Sequence, residues 1–190
     1  MELGDSPKDL ELEHGVPTAA PIRNPYRGAL PALNAVLSRW AMYLACLCLF
    51  ALLAVVVYGV VLRYVFNDAP PYVEQVALLL VISVAMFGAS AGVRDAGHIG
   101  LDSLVAVLPP KAQFWCEAIV FGFSIAFACA LVAGGAEMAA STRHDTIPTL
   151  GISEAVRYAP VLIAGVLITL FSIEHLIALF KDQEVVPSWH

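Results

Sequence analysis

Charge is what this sequence has least of. Only 14% of its 190 residues are Asp, Glu, Lys or Arg, while 59% are hydrophobic. A soluble domain carries roughly a quarter charged residues. With a mean hydropathy of +0.79, the deficit places the chain among membrane proteins. It is also uneven: residues 41–62, 75–93, 118–136 and 158–173 hold no Asp, Glu, Lys, Arg or His. A self-sufficient carrier or pump needs ionisable groups inside the bilayer, where they are costly and persist mainly for function. Their absence leaves no evident ion path or proton relay. It assigns Glu74, Glu137, Glu174 and His175 to the ends of spans as interface anchors. Paired sulfur ligands are missing too. Cys46, Cys48, Cys116 and Cys129 form no C-x-x-C and read as small hydrophobes. There is no H-E-x-x-H and no G-x-S-x-G. His14, His98, His144 and His190 fall in tails or loops, leaving His175 alone as an intramembrane histidine, too few for bis-histidine haem ligation. Neither enzyme nor cofactor chemistry is expected, and no catalytic, substrate-binding or metal residue is assigned. The net charge of −6 does not suit nucleic acid, and much of it lies in Glu2, Asp5, Asp9, Glu11 and Glu13.

Four apolar stretches remain, three of them close to the ~20 residues a helix needs to cross a bilayer core. The fourth has sixteen uncharged residues, 158–173, and is extended by apolar neighbours on both sides. An open sheet cannot satisfy its backbone in lipid. The expected fold is therefore an all-α integral membrane protein of four transmembrane helices with short interfacial helices. The expected division is a disordered cytoplasmic tail over 1–32, a four-helix membrane domain over 33–182 and a short tail over 183–190. Pro7, Pro17, Pro21, Pro25 and Pro31 among charges underlie the first boundary. Leu33, Leu37 and Trp40 share a helical face, which suggests an interfacial helix leading into the first span. Arg23, Arg27, Arg39, Arg94, Lys111 and Lys181 outnumber Arg63, Arg143 and Arg157, which predicts both termini in the cytoplasm. Small-x-x-x-small pairs that allow close helix packing are Gly88 with Gly92, Ala130 with Gly134, and Gly165 with Thr169.

The segment "VRDAGHIGLDSL" packs Arg94, Asp95, His98 and Asp102 directly after an uncharged span. No second constellation supplies a nucleophile or oxyanion site. The residues read as a membrane exit and re-entry, with Gly97 and Gly100 permitting a turn. Leu101, Leu104, Val105 and Leu108 would then lie on the bilayer surface until Pro109–Pro110.

"RYVFNDAPPYVEQVALLL", then "GASAGVRDAGHIGLDSL" and "LPP", together resemble the small membrane subunit of tripartite ATP-independent periplasmic (TRAP) transporters, the DctQ type. Arg63, Tyr64, Phe66 and Asn67 match that family's end to the first span. Glu74 matches the start of the second span. Arg94, Gly97, His98, Ile99 and Asp102 match the segment that follows it. Tyr72 stands where tryptophan is common, and Gln75 replaces the second of two carboxylates. The resemblance implies a small subunit that does not itself move substrate. It would scaffold a large membrane subunit that carries the transport and sodium sites, in a sodium-coupled transporter of organic acids served by a periplasmic substrate-binding protein. It further implies the bacterial inner membrane, with lipid as the remaining partner. Arg94 and His98 would cap the second span at the cytoplasmic interface, with Asp102 pairing to one of them or capping the next helix. A small self-sufficient ion-coupled carrier and a membrane electron carrier are the alternative readings.

Overall fold

The computed structural model describes Tyr26 and residues 28–95, 109–148 and 151–181, together with Gln183, Val185, Val186 and Ser188. It contains four long helices: α1 Ala29–Val65, α2 Pro71–Asp95, α3 Pro110–Ser141 and α4 Ala159–Phe180, the last preceded by a 3₁₀ turn at Glu154–Tyr158. All four are long and apolar enough to cross a membrane. The chain is thus an all-α, multi-pass membrane protein, as its uncharged stretches predict. Gly97, His98, Ile99, Gly100, Leu101, Asp102, Leu104, Val105 and Leu108 lie outside the described residues.

The helices pack in the order α1–α2–α4–α3, and α4 also touches α1. Successive spans alternate in direction, so one end of the bundle gathers the start of α1, the end of α2, the start of α3 and the end of α4. We call it the Arg94 end, and the opposite one the Arg63 end. The buried residues of α1 are Pro31, Asn34, Ser38, Ala41 and Ala45. Their spacing of three and four is one helical stripe. Two of the five are polar, so the stripe is specified by small size and hydrogen bonding as much as by hydrophobicity.

Two expectations change here. Residues 33–40 do not form a separate interfacial helix: α1 is continuous over 37 residues, and Leu33 and Trp40 are exposed. The helix also starts at Ala29, inside the segment assigned to the tail. Pro31 falls in its first turn, where a missing N–H costs nothing because that donor has no partner within the helix.

Close helix contact runs through fewer small residues than the sequence offers. A Cβ on Gly165 of α4 would lie 2.7 Å from Val132 Cγ2 and 3.3 Å from the Ala128 carbonyl of α3. Gly135 of α3 sits against Leu162 and Val161 in the same way. Thr169 turns back on its own helix, donating its hydroxyl to the Gly165 carbonyl at 2.8 Å. Ala130 is exposed, and nothing stands within 4 Å of a Cβ built on Gly134, Gly88 or Gly92. For Gly134 the reason is that α3 meets α4 through Ala128, Val132 and Gly135, a different face.

At the Arg63 end, α1 stops at a left-handed residue. Asn67 has φ 52°, and the Asp68 N–H returns to the Leu62 carbonyl at 3.1 Å. Asn tolerates this conformation better than other non-glycine residues, which gives a physical reason for Asn at this position.

Candidate functional site: a buried charge cluster

Arg94, Glu174 and Asp95 meet where α1, α2 and α4 converge. Arg94 is the penultimate residue of α2, and its guanidinium turns into the bundle. Its side chain is 1% exposed and that of Glu174 is 0% exposed. Burying either charge alone would cost several kcal/mol, so each must be paired and hydrogen-bonded.

All five guanidinium N–H groups find acceptors. Nε donates to Glu174 Oε2 at 3.2 Å, and Nη2 donates to Glu174 Oε1 at 3.1 Å. These two form the planar, two-pronged pairing that Arg makes with a carboxylate. Nη2 also donates to the Pro31 carbonyl at 3.3 Å. Nη1 donates to Asp95 Oδ1 at 3.1 Å and to Ser188 Oγ at 2.5 Å.

The carboxylates are satisfied in turn. Glu174 Oε2 accepts a further bond from Asn34 Nδ2 at 2.8 Å. Asp95 accepts the Ser38 hydroxyl and the Ser188 N–H, the latter at 2.8 Å. Beside the cluster, His175 Nε2 donates to the Arg94 carbonyl at 3.1 Å. Its ring stacks on Phe121 of α3, with centroids 5.0 Å apart and planes 8° from parallel. Every one of the four helices therefore has a residue in or against this assembly.

Two sequence-based assignments are corrected. Arg94 does not cap the second span at the interface. It is buried and spans to α4. Glu174 is not an interface anchor but the counter-charge to Arg94. His98 and Asp102, the proposed companions of Arg94, fall outside the described residues. Asn34, Ser38 and Ser188 were not singled out by sequence. The first two carry a faint signal, being polar residues four apart on one helical stripe; Ser188 carries none.

The remaining motif residues sit at the Arg63 end. Arg63 Nη2 and Glu74 Oε1 are 3.5 Å apart, both exposed, a pairing worth about 0–1 kcal/mol. With Gly59, Tyr64 and Val73 they line a small crevice between α1 and α2. Phe66 is exposed in the turn. Tyr72 reaches Tyr58, their hydroxyls 3.2 Å apart. Gln75, where the resemblance leads one to look for a carboxylate, accepts a hydrogen bond from Arg157 Nη2 at 2.8 Å. Arg157 also pairs with Glu154 at 3.2 Å. The amide keeps the acceptor and drops the charge.

The class is set by these observations: a four-span membrane protein whose buried charge is spent on tying its own helices together. Residues 52–182 match the family of tripartite ATP-independent periplasmic transporters, DctQ component, and the chain belongs to that family. It is similar to two proteins of Haemophilus influenzae that carry the name TRAP transporter small permease protein. One is 28% identical over 140 residues, covering 73% of this chain and 86% of the relative. The other is 26% identical over 125 residues, covering 65% and 75%.

Proposed function

We propose that this chain is the non-transporting small subunit of a sodium-coupled TRAP transporter for organic acids. In this reading it sits in the bacterial inner membrane with both termini cytoplasmic and acts as a scaffold for the large transport subunit, to which a periplasmic binding protein delivers substrate. The observation that carries this reading is where the charge goes. The Arg94 guanidinium has no donor left over, Glu174 is saturated by Arg94 and Asn34, and both lie at one end of the bundle. The stretches 41–62, 75–93, 118–136 and 158–173 contribute no ionisable side chain that could carry an ion onward. A carrier working alone would need such groups along a path.

What faces outward also supports a scaffold. Leu47, Phe50, Leu53, Phe123 and Phe127 are exposed, and no described residue stands within 4 Å of a Cβ built on Gly88 or Gly92 of α2. Such faces suit lipid and another membrane protein. Reconstitution tests the proposal. In liposomes the chain alone should take up no organic acid. With the large subunit and the binding protein present, uptake should appear and should require sodium. Uptake by this chain alone would overturn the scaffold reading in favour of a self-sufficient carrier.

A further inference from the structure

The segment after α4 does not simply trail away. Beyond the helix, the Gln183 N–H returns to the Ala178 carbonyl at 3.0 Å. Val185 and Val186 are half-buried, and Ser188 is buried at 2% exposure. Six residues lie between Lys181 and Ser188, and the seven Cα-to-Cα steps span about 23 Å when extended, so the chain has the reach to double back to Arg94. Once there, Ser188 uses all of its polar groups. Its hydroxyl accepts from Arg94 Nη1 at 2.5 Å, its N–H donates to Asp95 Oδ1 at 2.8 Å, and its carbonyl accepts from Arg39 Nε at 2.7 Å. One residue thereby touches α1 through Arg39 and α2 through Arg94 and Asp95, while its own chain continues from α4.

We propose that the C-terminal segment is a clasp, with Ser188 as its catch, that closes the Arg94–Glu174–Asp95 cluster against water at that face. The cluster holds two carboxylates to one guanidinium. Its attraction strengthens as water is excluded, since the effective dielectric falls. Without Ser188, one Arg94 donor and one Asp95 acceptor would turn to water at the mouth of the cluster. The α1, α2 and α4 ends would then be joined by a solvated pair of the kind that contributes little. The clasp makes Ser188 part of the helix bundle's stability. This inference stands whether or not the transport reading does.

Hydrogen–deuterium exchange on the chain in lipid nanodiscs tests it. Two variants are compared with the full chain: one ending at Glu184, and the full-length Ser188→Pro, which removes both the hydroxyl that meets Arg94 and the N–H that meets Asp95. Opening of the cluster should speed amide exchange at residues 31–38 and 91–95 by about fivefold or more in both, as local opening becomes easier. Exchange at residues 55–65, at the far end, should stay unchanged. Adding a peptide of residues 181–190 to the shortened chain should restore slow exchange. Rates within about twofold of the full chain at 31–38 and 91–95 would overturn the clasp. So would faster exchange spread equally to residues 55–65, which would mark general destabilisation. Should the shortened chain fail to insert, Ser188→Pro decides the question alone.

Discussion

Arg94 and Glu174 show how a residue's role depends on a partner that its own neighbourhood does not reveal. They are separated by 80 positions. Each stands at the end of an apolar run, where a charge ordinarily marks the exit from the membrane. Sequence logic therefore put both at the interface. The bond between them is non-local, and no periodicity reports it. Removing one partner strands the other in a buried site. Glu174→Ala should lower the stability of the chain by about 3–5 kcal/mol. Replacing both, as Arg94→Leu with Glu174→Leu, should cost less than either single change, because the only charge left behind is Asp95, which keeps its hydrogen bonds from Ser38 and Ser188. Thermal unfolding of the two single variants and the double variant gives the comparison. A double variant worse than both singles would mean that the pair does more than hold helices together. On the proposed scaffold reading, transport per assembled complex should remain within about tenfold of wild type, or roughly 1.4 kcal/mol in barrier. A larger loss with normal assembly would make the cluster a working site.

The helices themselves were easier to read than their contacts. An uncharged run of about twenty residues is a property of consecutive positions, and lipid leaves the backbone only one unclosed solution. Which face of a helix meets which neighbour is a property of the whole bundle, and small-x-x-x-small spacing is too common in apolar sequence to settle it. Gly165 is a contact residue and Gly134 is not, although both belong to such a pair. Gly165→Val should destabilise the isolated chain by about 1–3 kcal/mol, since the added carbons enter space already held by Val132 and the Ala128 carbonyl. Gly134→Val should leave the isolated chain within about 0.5 kcal/mol of wild type, as expected of a change that meets no neighbour. Unfolding midpoints in one detergent check both. Equal losses would show that α3 packs through a different face. At 37 residues, α1 is roughly 55 Å long, well beyond the ~30 Å hydrocarbon core. That surplus carries Pro31, Asn34 and Ser38 to the charge cluster.

At the scale of the molecule, the placement of Lys and Arg gives an orientation to test. Six such residues flank the Arg94 end and three the Arg63 end, which predicts the Arg94 end in the cytoplasm. Reporter fusions at residues 67–70 and 142–148 should report the periplasmic side, and a fusion at the C-terminus the cytoplasmic side. A periplasmic C-terminus would refute the assignment. The orientation follows from charge counts and needs no contact map. The helix order α1–α2–α4–α3 was not legible, because apolar faces alone do not say which span is central. That position belongs to α4, which brings Glu174 against α2 and Gly165 against α3.

The central place of α4 has a consequence for how the protein is made. The ribosome delivers α1 and α2 first, and with them Arg94 and Asp95, while the second carboxylate partner of Arg94 is encoded 80 residues downstream. At a synthesis rate of about 5–20 residues per second, Arg94 waits roughly 4–16 s for Glu174 to be translated. During that interval the α1–α2 hairpin holds Arg94 with Asp95 beside it but without the carboxylate that takes its Nε and Nη2. Translation of α4 supplies that carboxylate. The two-pronged bond that ties α2 to α4 therefore closes only after the hairpin has been made.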